Sequence, residues 1–181
     1  MEAIRTEIEG VWILEPRVFN DARGYFFESF SARDFERLTG ERVSFVQDNQ
    51  ARSEYGVLRG LHFQRAPYAQ AKLVRVTEGR VLDVAVDLRA GSPTLGKHVA
   101  VELSADNFRQ LYIPKGFAHG YVVLSPSVVF QYKTDEYYHP EAEGGVRYDD
   151  PDLAVDWRLS AADLRLSDKD LRLPSYASMF A

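Results

Sequence analysis

The histidines are the first candidates for acid–base chemistry, because a free imidazole has a pKa of about 6.5 and exchanges protons near neutral pH. His62 lies in the predicted strand 57–64, where alternation places it on the same face as Gly60 and Gln64. Such a histidine either lines a cavity or is a hydrogen-bonded structural residue. His119 follows a turn that proline and glycine fix, so it either stabilises that turn or is delivered onto the next strand as a functional side chain.

Lys72 and Tyr132 would complete such chemistry as a cation and a proton donor. Lys72 begins an otherwise apolar strand, so its amine either reaches solvent at the strand end or serves as a pocket cation. Tyr132 shares a predicted strand face with Val128 and Phe130. It is either a core residue whose hydroxyl has a partner or a proton donor whose pKa its neighbours tune.

A required metal is not predicted. The sequence has no cysteine, which excludes thiolate ligands and disulfides. His62 is followed by Phe63 and Gln64, so the His-x-His pair that supplies two metal ligands from one strand is missing. Two isolated histidines rarely complete a metal site. We therefore expect a reaction that needs no metal.

The charge distribution favours one small anionic ligand over nucleic acid. The net charge is −5 at pH 7, which argues against a polyanion as a partner. A few local cations could still hold an anionic group, although each of them taken alone is most often a surface charge. These candidates are Arg23, Arg59, Lys72 and Lys169. Asp170 stands next to Lys169, where a turn residue is the plain interpretation.

The elements that must position these residues are mostly short strands. Apolar and polar residues alternate in short segments that Gly, Pro, Asn or Asp interrupt. Strands are predicted around residues 57–64, 72–76, 82–86, 99–103, 111–114, 120–124 and 128–134, with a hairpin turn at 78–79. Many short strands with one or two helices indicate a sandwich or a barrel.

One helix and one tail complete the predicted organisation. Ser31 and Asp34 resemble a capping box, and Phe35 and Leu38 form an apolar edge before Gly40. The length of 181 residues fits a single domain, 1–181, whose tail from about residue 158 packs back on the body. The leucines available for that packing are Leu164, Leu166 and Leu171.

The N-terminal segment has no apolar core of a signal peptide, and no apolar run is long enough to cross a bilayer. A cytoplasmic protein without a membrane partner is the default expectation.

Several segments in order resemble the dTDP-4-dehydrorhamnose 3,5-epimerase family. They include Leu58-Arg59-Gly60-Leu61-His62 and extend over nearly the whole chain, about residues 1 to 171. The segments are residues 15–19, 21–29, 45–49, 56–63, 69–75, 84–89, 92–94, 113–120 and 137–138. Each one alone is weak, whereas the ordered set is highly specific. The resemblance implies an all-β, cupin-type jelly-roll barrel with a few short helices, a homodimer, and no metal or organic cofactor.

The resemblance also implies roles for individual residues. His62 would be the general base, Asp170 its carboxylate partner, Lys72 the pocket lysine and Tyr132 the proton donor. Tyr138 would stack on the thymine ring. The other substrate contacts would be Arg23, Glu28, Gln47, Asp48, Asn49, Arg59, His119, Glu143 and Lys169. The tail past Asp170 is unfamiliar for the family, which leaves its role open.

The implied reaction is epimerisation at C3 and C5 of dTDP-4-keto-6-deoxy-D-glucose to dTDP-4-keto-L-rhamnose, in dTDP-L-rhamnose or related deoxysugar biosynthesis. Three alternatives stay open on the residues themselves. A metal-dependent cupin oxygenase or isomerase would need the missing His-x-His pattern. A non-catalytic sugar-nucleotide binding module would not need His62, Lys72 and Tyr132 together. A mono-epimerase acting at C3 or C5 alone would use the same base and acid.

Overall fold

The computed structural model describes residues 1–179, and within that range the chain forms thirteen strands and two short α-helices. The strands are β1 (Glu2–Arg5), β2 (Trp12–Glu15), β3 (Phe19–Asp21), β4 (Gly24–Phe26), β5 (Gln47–Glu54), β6 (Leu58–Gln64), β7 (Lys72–Glu78), β8 (Arg80–Asp87), β9 (His98–Ser104), β10 (Gln110–Ile113), β11 (Phe117–Val123), β12 (Ser127–Thr134) and β13 (Glu143–Gly145); the helices are α1 (Ala32–Thr39) and α2 (Asp168–Leu171).

Most strands belong to two antiparallel sheets that enclose an apolar core. The first sheet has the order β1-β2-β10-β7-β12-β5, and the second has the order β13-β6-β11-β8-β9. Both sheets contribute fully buried side chains to one cluster, such as Val74 and Phe130 from the first and Ala85 and Val123 from the second. The strands β3 and β4 form a separate hairpin. This architecture confirms the predicted all-β jelly roll of the cupin type.

The predicted hairpin at residues 78–79 was wrong. Strand β7 pairs with β10 and β12, whereas β8 pairs with β9 and β11, so these consecutive strands lie in different sheets. Gly79 has a φ of 74° where the chain crosses between the sheets. A Cβ at this position would lie 2.1 Å from the carbonyl oxygen of Ser127, so only glycine fits the crossing.

The predicted helix is present as α1. The hydroxyl of Ser31 accepts a hydrogen bond from the backbone N–H of Asp34 at 3.4 Å, as expected of an N-cap. Phe35 is buried, Leu38 is half-buried, and Gly40 ends the helix in a left-handed conformation.

The C-terminal segment covers the outer face of the second sheet. Leu164 and Leu166 pack against a cluster that contains Leu58 and Leu61 of β6. Leu171 does not join them, because 60% of it is exposed at the end of α2. Within residues 1–179 no helix is long and apolar enough to cross a membrane.

Candidate active site

The four residues predicted to be catalytic lie together. His62, Lys72, Tyr132 and Asp170 line one cavity of about 290 Å³, which we call the His62 cavity. Strands of both sheets and helix α2 supply its walls. The other lining residues are Ala51, Arg59, His119, Tyr121, Phe130, Ser167 and Lys169.

A bulge in β6 brings a second functional residue into this cavity. His62 lies opposite His119 on β11, and Arg59 lies opposite Tyr121, so three steps on β6 match two steps on β11. The extra residue reverses the alternation between Arg59 and His62, and both side chains therefore line the same cavity. Strict alternation in the sequence would place Arg59 on the opposite face.

Glycines make this bulge possible. Gly60 has a φ of 131°, which L side chains rarely adopt. A Cβ on Gly60 would lie 2.5 Å from the Cα of Gly120 on β11. Replacing Gly60 by a larger residue would therefore separate β6 from β11 and displace His62.

His62 forms a close pair with Asp170. The Nε2 atom of His62 lies 2.5 Å from Oδ1 of Asp170, and Asp170 is only 4% exposed. Burial opposes ionisation of Asp170, but hydrogen bonds with His62 and Ser167 outweigh it and hold the pKa of the carboxyl below its ordinary value. The imidazole therefore faces a fixed carboxylate that selects its tautomer and supports a positive charge on the ring.

His119 forms a second pair, with Asp83 of β8. Its Nε2 atom lies 2.9 Å from Oδ1 of Asp83, and both side chains are buried. Burial lowers the pKa of His119, against the opposing effect of Asp83, and the positive charge of Lys72 lowers it further. A neutral His119 beside Lys72 is the resulting arrangement at neutral pH.

Lys72 and Tyr132 approach the cavity from the first sheet. As the alternation predicted, Lys72 lies on the same strand face as Val74, and Tyr132 lies on the same strand face as Phe130. Val74 and Phe130 both lie in the core between the sheets. Burial lowers the pKa of Lys72 to about 8, although Asp83 and Glu143 oppose the shift. Burial raises the pKa of Tyr132 above its ordinary value, so the phenol stays protonated at neutral pH.

Three predicted substrate contacts form a polar network at one side of the cavity. Nζ of Lys169 lies 2.5 Å from Oε1 of Glu143, and the hydroxyl of Tyr138 donates to Oε2 of Glu143 at 3.0 Å. Tyr138 is 51% exposed, which leaves its ring open to a flat ligand. The hydrogen bond with Glu143 raises the pKa of Lys169 and keeps its ammonium charged.

The segment 47–49 divides between two faces of β5. The side-chain amide of Gln47 donates to Oδ1 of Asn49 at 3.0 Å, and Oε1 of Gln47 accepts from the backbone N–H of Tyr138 at 3.3 Å. Asp48 instead binds Lys133 at 2.9 Å; these two side chains and Asn49 line a neighbouring cavity of about 240 Å³, which shares Tyr132 with the His62 cavity. None of the three lines the His62 cavity, although all were predicted as substrate contacts.

Arg23 and Glu28 also lie outside the His62 cavity. Arg23 follows β3 in the hairpin turn, where its side chain is 89% exposed and binds Asp21. Glu28 follows β4 at the other end of the same hairpin. The hairpin also exposes large aromatic side chains, which are Phe19 at 49%, Tyr25 at 61% and Phe26 at 71%. A single copy of the chain therefore does not bring these two predicted contacts to the base.

The cavity offers few ligands for a metal. Among residues 1–179, no three His, Asp or Glu side chains converge in a way that could hold a metal ion. Gln64, which stands where a second histidine would complete His-x-His, is buried and uses its amide on backbone groups of Tyr68, Tyr137 and His139.

Comparisons with known proteins identify the group to which this site belongs. The sequence profile described as dTDP-4-dehydrorhamnose 3,5-epimerase matches residues 5–178. The chain belongs to the dTDP-4-dehydrorhamnose 3,5-epimerase family. Its relatives include the dTDP-4-dehydrorhamnose 3,5-epimerase of Escherichia coli (strain K12), which is 62% identical over 157 residues, covering 87% of this chain and 85% of the relative.

Solved structures of this epimerase family have the same fold. A dTDP-4-dehydrorhamnose 3,5-epimerase from Elizabethkingia anophelis superposes with a TM-score of 0.95 at 52% identity, covering 98% of this chain and 97% of the other. A dTDP-6-deoxy-D-glucose-3,5-epimerase from Legionella pneumophila, solved with dTDP-4-keto-L-rhamnose, gives a TM-score of 0.92 at 51% identity, covering 96% and 92%. The predicted family and fold are therefore confirmed.

Sequence reasoning missed three residues that shape this epimerase-type site. Asp83 stands in the apolar strand β8, where a lone carboxylate could have signalled a buried partner for a histidine. Ser167 begins α2 three residues before Asp170, a spacing typical of an N-cap. Tyr121 lines the cavity from β11 and carried no distinguishing signal, because a tyrosine in a buried strand is ordinary core.

Proposed function

We propose that this chain inverts C3 and C5 of dTDP-4-keto-6-deoxy-D-glucose and releases dTDP-4-keto-L-rhamnose, a step in dTDP-L-rhamnose or related deoxysugar biosynthesis. One observation carries the proposal: His62, Lys72 and Tyr132 line the same cavity, with Asp170 bound to His62 at 2.5 Å. Membership of the epimerase family and the ligand of the Legionella pneumophila relative support the choice of substrate.

The reaction begins with loss of a proton next to the ketone. The carbonyl at C4 acidifies the hydrogens on C3 and C5, because the electron pair left behind delocalises onto the carbonyl oxygen. His62 takes the proton through the ring nitrogen that does not face Asp170. The Asp170 carboxylate then stabilises the imidazolium that forms.

The developing enolate and the return of the proton involve the first sheet. The ammonium of Lys72 stabilises the negative charge on the C4 oxygen, and such preorganised charge is often the largest catalytic contribution. Tyr132 enters the cavity from β12, whereas His62 enters from β6 of the facing sheet. The phenol returns a proton to the face of the sugar ring opposite His62, and this inverts the carbon.

The nucleotide is held by the cations and aromatic residues at the side of the cavity. Arg59 and Lys169 bind the diphosphate through charge-assisted hydrogen bonds. Tyr138 stacks on the thymine ring, and its hydroxyl stays fixed by Glu143. Gln47 and Asn49 form an amide pair next to Tyr138, which suits polar groups of the base or the deoxyribose.

We also infer a homodimer in which a second copy supplies Arg23 and Glu28 to the substrate. The exposed aromatic side chains of the β3–β4 hairpin support an interface there. We also propose that residues 1–181 form one domain, and the unbroken family match over residues 5–178 supports this. The enzyme acts in the cytoplasm without a metal or organic cofactor.

Proton NMR of dTDP-4-keto-6-deoxyglucose with the enzyme in deuterated water tests the function. We expect solvent deuterium to enter both C3 and C5 and the signals of dTDP-4-keto-L-rhamnose to appear. Exchange and inversion at one carbon only would replace the proposal with a mono-epimerase. No exchange at either carbon would refute it.

A further inference from the structure

The hydroxyl of Ser167 holds the carboxylate that contacts the base. Its Oγ donates a hydrogen bond to Oδ2 of Asp170 at 2.8 Å and accepts one from the backbone N–H of Asp170 at 3.1 Å. The second bond fixes the direction in which the hydroxyl proton points. Oδ1 of Asp170 lies 2.5 Å from Nε2 of His62, so each carboxylate oxygen has its own partner.

The segment that carries Ser167 is tied to β6 before α2 begins. The backbone N–H of Arg165 donates to the carbonyl of Gly56 at 2.8 Å, and the N–H of Leu58 donates to the carbonyl of Arg165 at 3.0 Å. Leu58 opens the strand that carries His62. These two hydrogen bonds therefore fix the position of the start of α2 relative to β6, the strand that carries His62.

The segment after α2 is tied to the strand on the other side of His62. The backbone N–H of Arg147 donates to the carbonyl of Pro174 at 2.9 Å. Leu173 packs so closely on Gly145 that an added Cβ would lie 2.6 Å from its Cδ2 atom. Gly145 is the direct partner of His62 across β13 and β6. The segment from Arg165 to Pro174 is therefore held at both ends beside His62.

We propose that Ser167 is a positioning residue for the epimerisation, which fixes the orientation and ionisation of Asp170 and through it the imidazole of His62. The inference rests on the proposed function, because Ser167 acts through the assigned base. It also gives the unfamiliar tail a role, since Leu173 and Pro174 hold the C-terminal end of the segment that carries Ser167 and Asp170.

The physical reason lies in the second oxygen of Asp170. Without the Ser167 hydroxyl, Oδ2 of this 4% exposed carboxylate loses its donor, and a buried anion with an unpaired oxygen is strongly disfavoured. The charged groups that face Asp170 are His62 from β6 and Lys169 from α2 itself. The carboxyl would either rotate toward Lys169 or take up a proton more readily, and both changes weaken its support of His62.

Three substitutions separate positioning from capping. Ser167→Ala removes both the hydroxyl and the N-cap, Ser167→Gly removes the hydroxyl at a position where glycine caps well, and Ser167→Thr keeps the hydroxyl. Ser160→Ala is the matched control, because Ser160 donates to Asp163 Oδ2 at 2.6 Å with the same spacing at an exposed site outside the cavity. All are compared with the wild type by deuterium exchange at C3 and C5, product formation, and dTDP binding.

We expect Ser167→Ala and Ser167→Gly to lower kcat by about tenfold with little change in KM, since one hydrogen bond to a charged group is lost. The acid limb of their kcat/KM profile should move to lower pH, because a carboxylate that has rotated away or taken up a proton stabilises the imidazolium of His62 less. Ser167→Thr should restore both, and Ser160→Ala should match the wild type.

Wild-type kcat in Ser167→Gly would overturn the inference, and so would a raised KM at unchanged kcat, which would make Ser167 a substrate contact. If Ser167→Ala does not fold, Ser167→Gly decides alone. Failure of the proposed function is distinct, because the wild type itself would then show no exchange.

Discussion

His62 and Asp170 are 108 positions apart in the chain, yet Nε2 of the imidazole and Oδ1 of the carboxylate lie 2.5 Å from each other. The contact joins β6, the strand next to the edge of the second sheet, to a four-residue helix near the C-terminus. The carboxylate can fix the tautomer of the imidazole and stabilise a positive charge on it, which is what a base at this position would require.

Asp170→Asn tests this pair while preserving its shape. The amide carries no charge and can present its N–H to Nε2, which would select the wrong tautomer of His62. We expect kcat to fall by about 10² to 10⁴-fold, the range for general acid–base contributions, with unchanged binding of dTDP measured by calorimetry. Asp168→Asn, on the exposed side of the same helix, is the control. A variant with wild-type kcat would show that the contact has no role in catalysis.

The pH dependence of kcat should report the ammonium of Lys72. Burial lowers the pKa of this lysine to about 8, and only its charged form stabilises an enolate. The contribution of Lys72 should therefore be fully present below this pH and be lost as the pH rises through about 8, which gives kcat an alkaline limb. Tyr132 does not account for this limb, because burial raises its pKa instead.

Lys72→Gln should remove that alkaline limb and lower kcat by about 10² to 10³-fold, the cost of losing one preorganised donor. Lys97→Gln, which changes an exposed lysine outside the cavity, should retain both the limb and the rate. An alkaline limb that persists unchanged in Lys72→Gln would assign the titration to another group.

Tyr132→Phe should separate the two halves of the reaction. Removing the phenol leaves His62 able to take the proton but removes the donor on the other face. Completed inversion should slow by about 10²-fold, and entry of solvent deuterium without inversion should slow less. Tyr112→Phe provides a control, since Tyr112 is a buried tyrosine that lies outside the His62 cavity, in the cluster next to α1. Equal loss of both steps in Tyr132→Phe would argue against the donor role.

Treatment with EDTA should leave epimerisation unchanged. The expectation follows from the ligand chemistry of the site, where Nε2 of both His62 and His119 faces a carboxylate and Gln64 is engaged with backbone groups. The check is kcat after chelation, together with elemental analysis of the purified protein. Loss of activity that a divalent cation restores would defeat the metal-free mechanism.

Local sequence patterns predicted the strands that carry the site but not how those strands pair. The segments around His62, Lys72 and Tyr132 were predicted as strands, and they are β6, β7 and β12. The prediction of a hairpin at residues 78–79 was wrong, because apolar and polar residues alternate in the same way whether two consecutive strands pair with each other or lie in different sheets. The partners that decide the matter, β12 for β7 and β11 for β8, lie far along the chain.

The finer geometry of the site escaped sequence reasoning for similar reasons. The β6 bulge, which places Arg59 and His62 in the same cavity, depends on the close approach of Gly60 to β11. No local sequence pattern reveals this approach. Helix α2 has four residues, too few for an apolar period to appear. The resemblance named Asp48 and Arg23 as contacts, but it did not predict that Asp48 would face Lys133 or that Arg23 would lie in an exposed hairpin.

The central claim is that His62 is the base, and His62→Ala tests it most directly by proton NMR in deuterated water. We expect deuterium entry at C3 and C5 of the sugar to fall to the rate without enzyme, while dTDP binds as tightly as to the wild type. His98→Ala, on β9 and outside the His62 cavity, should exchange normally. Full exchange in His62→Ala would contradict the account.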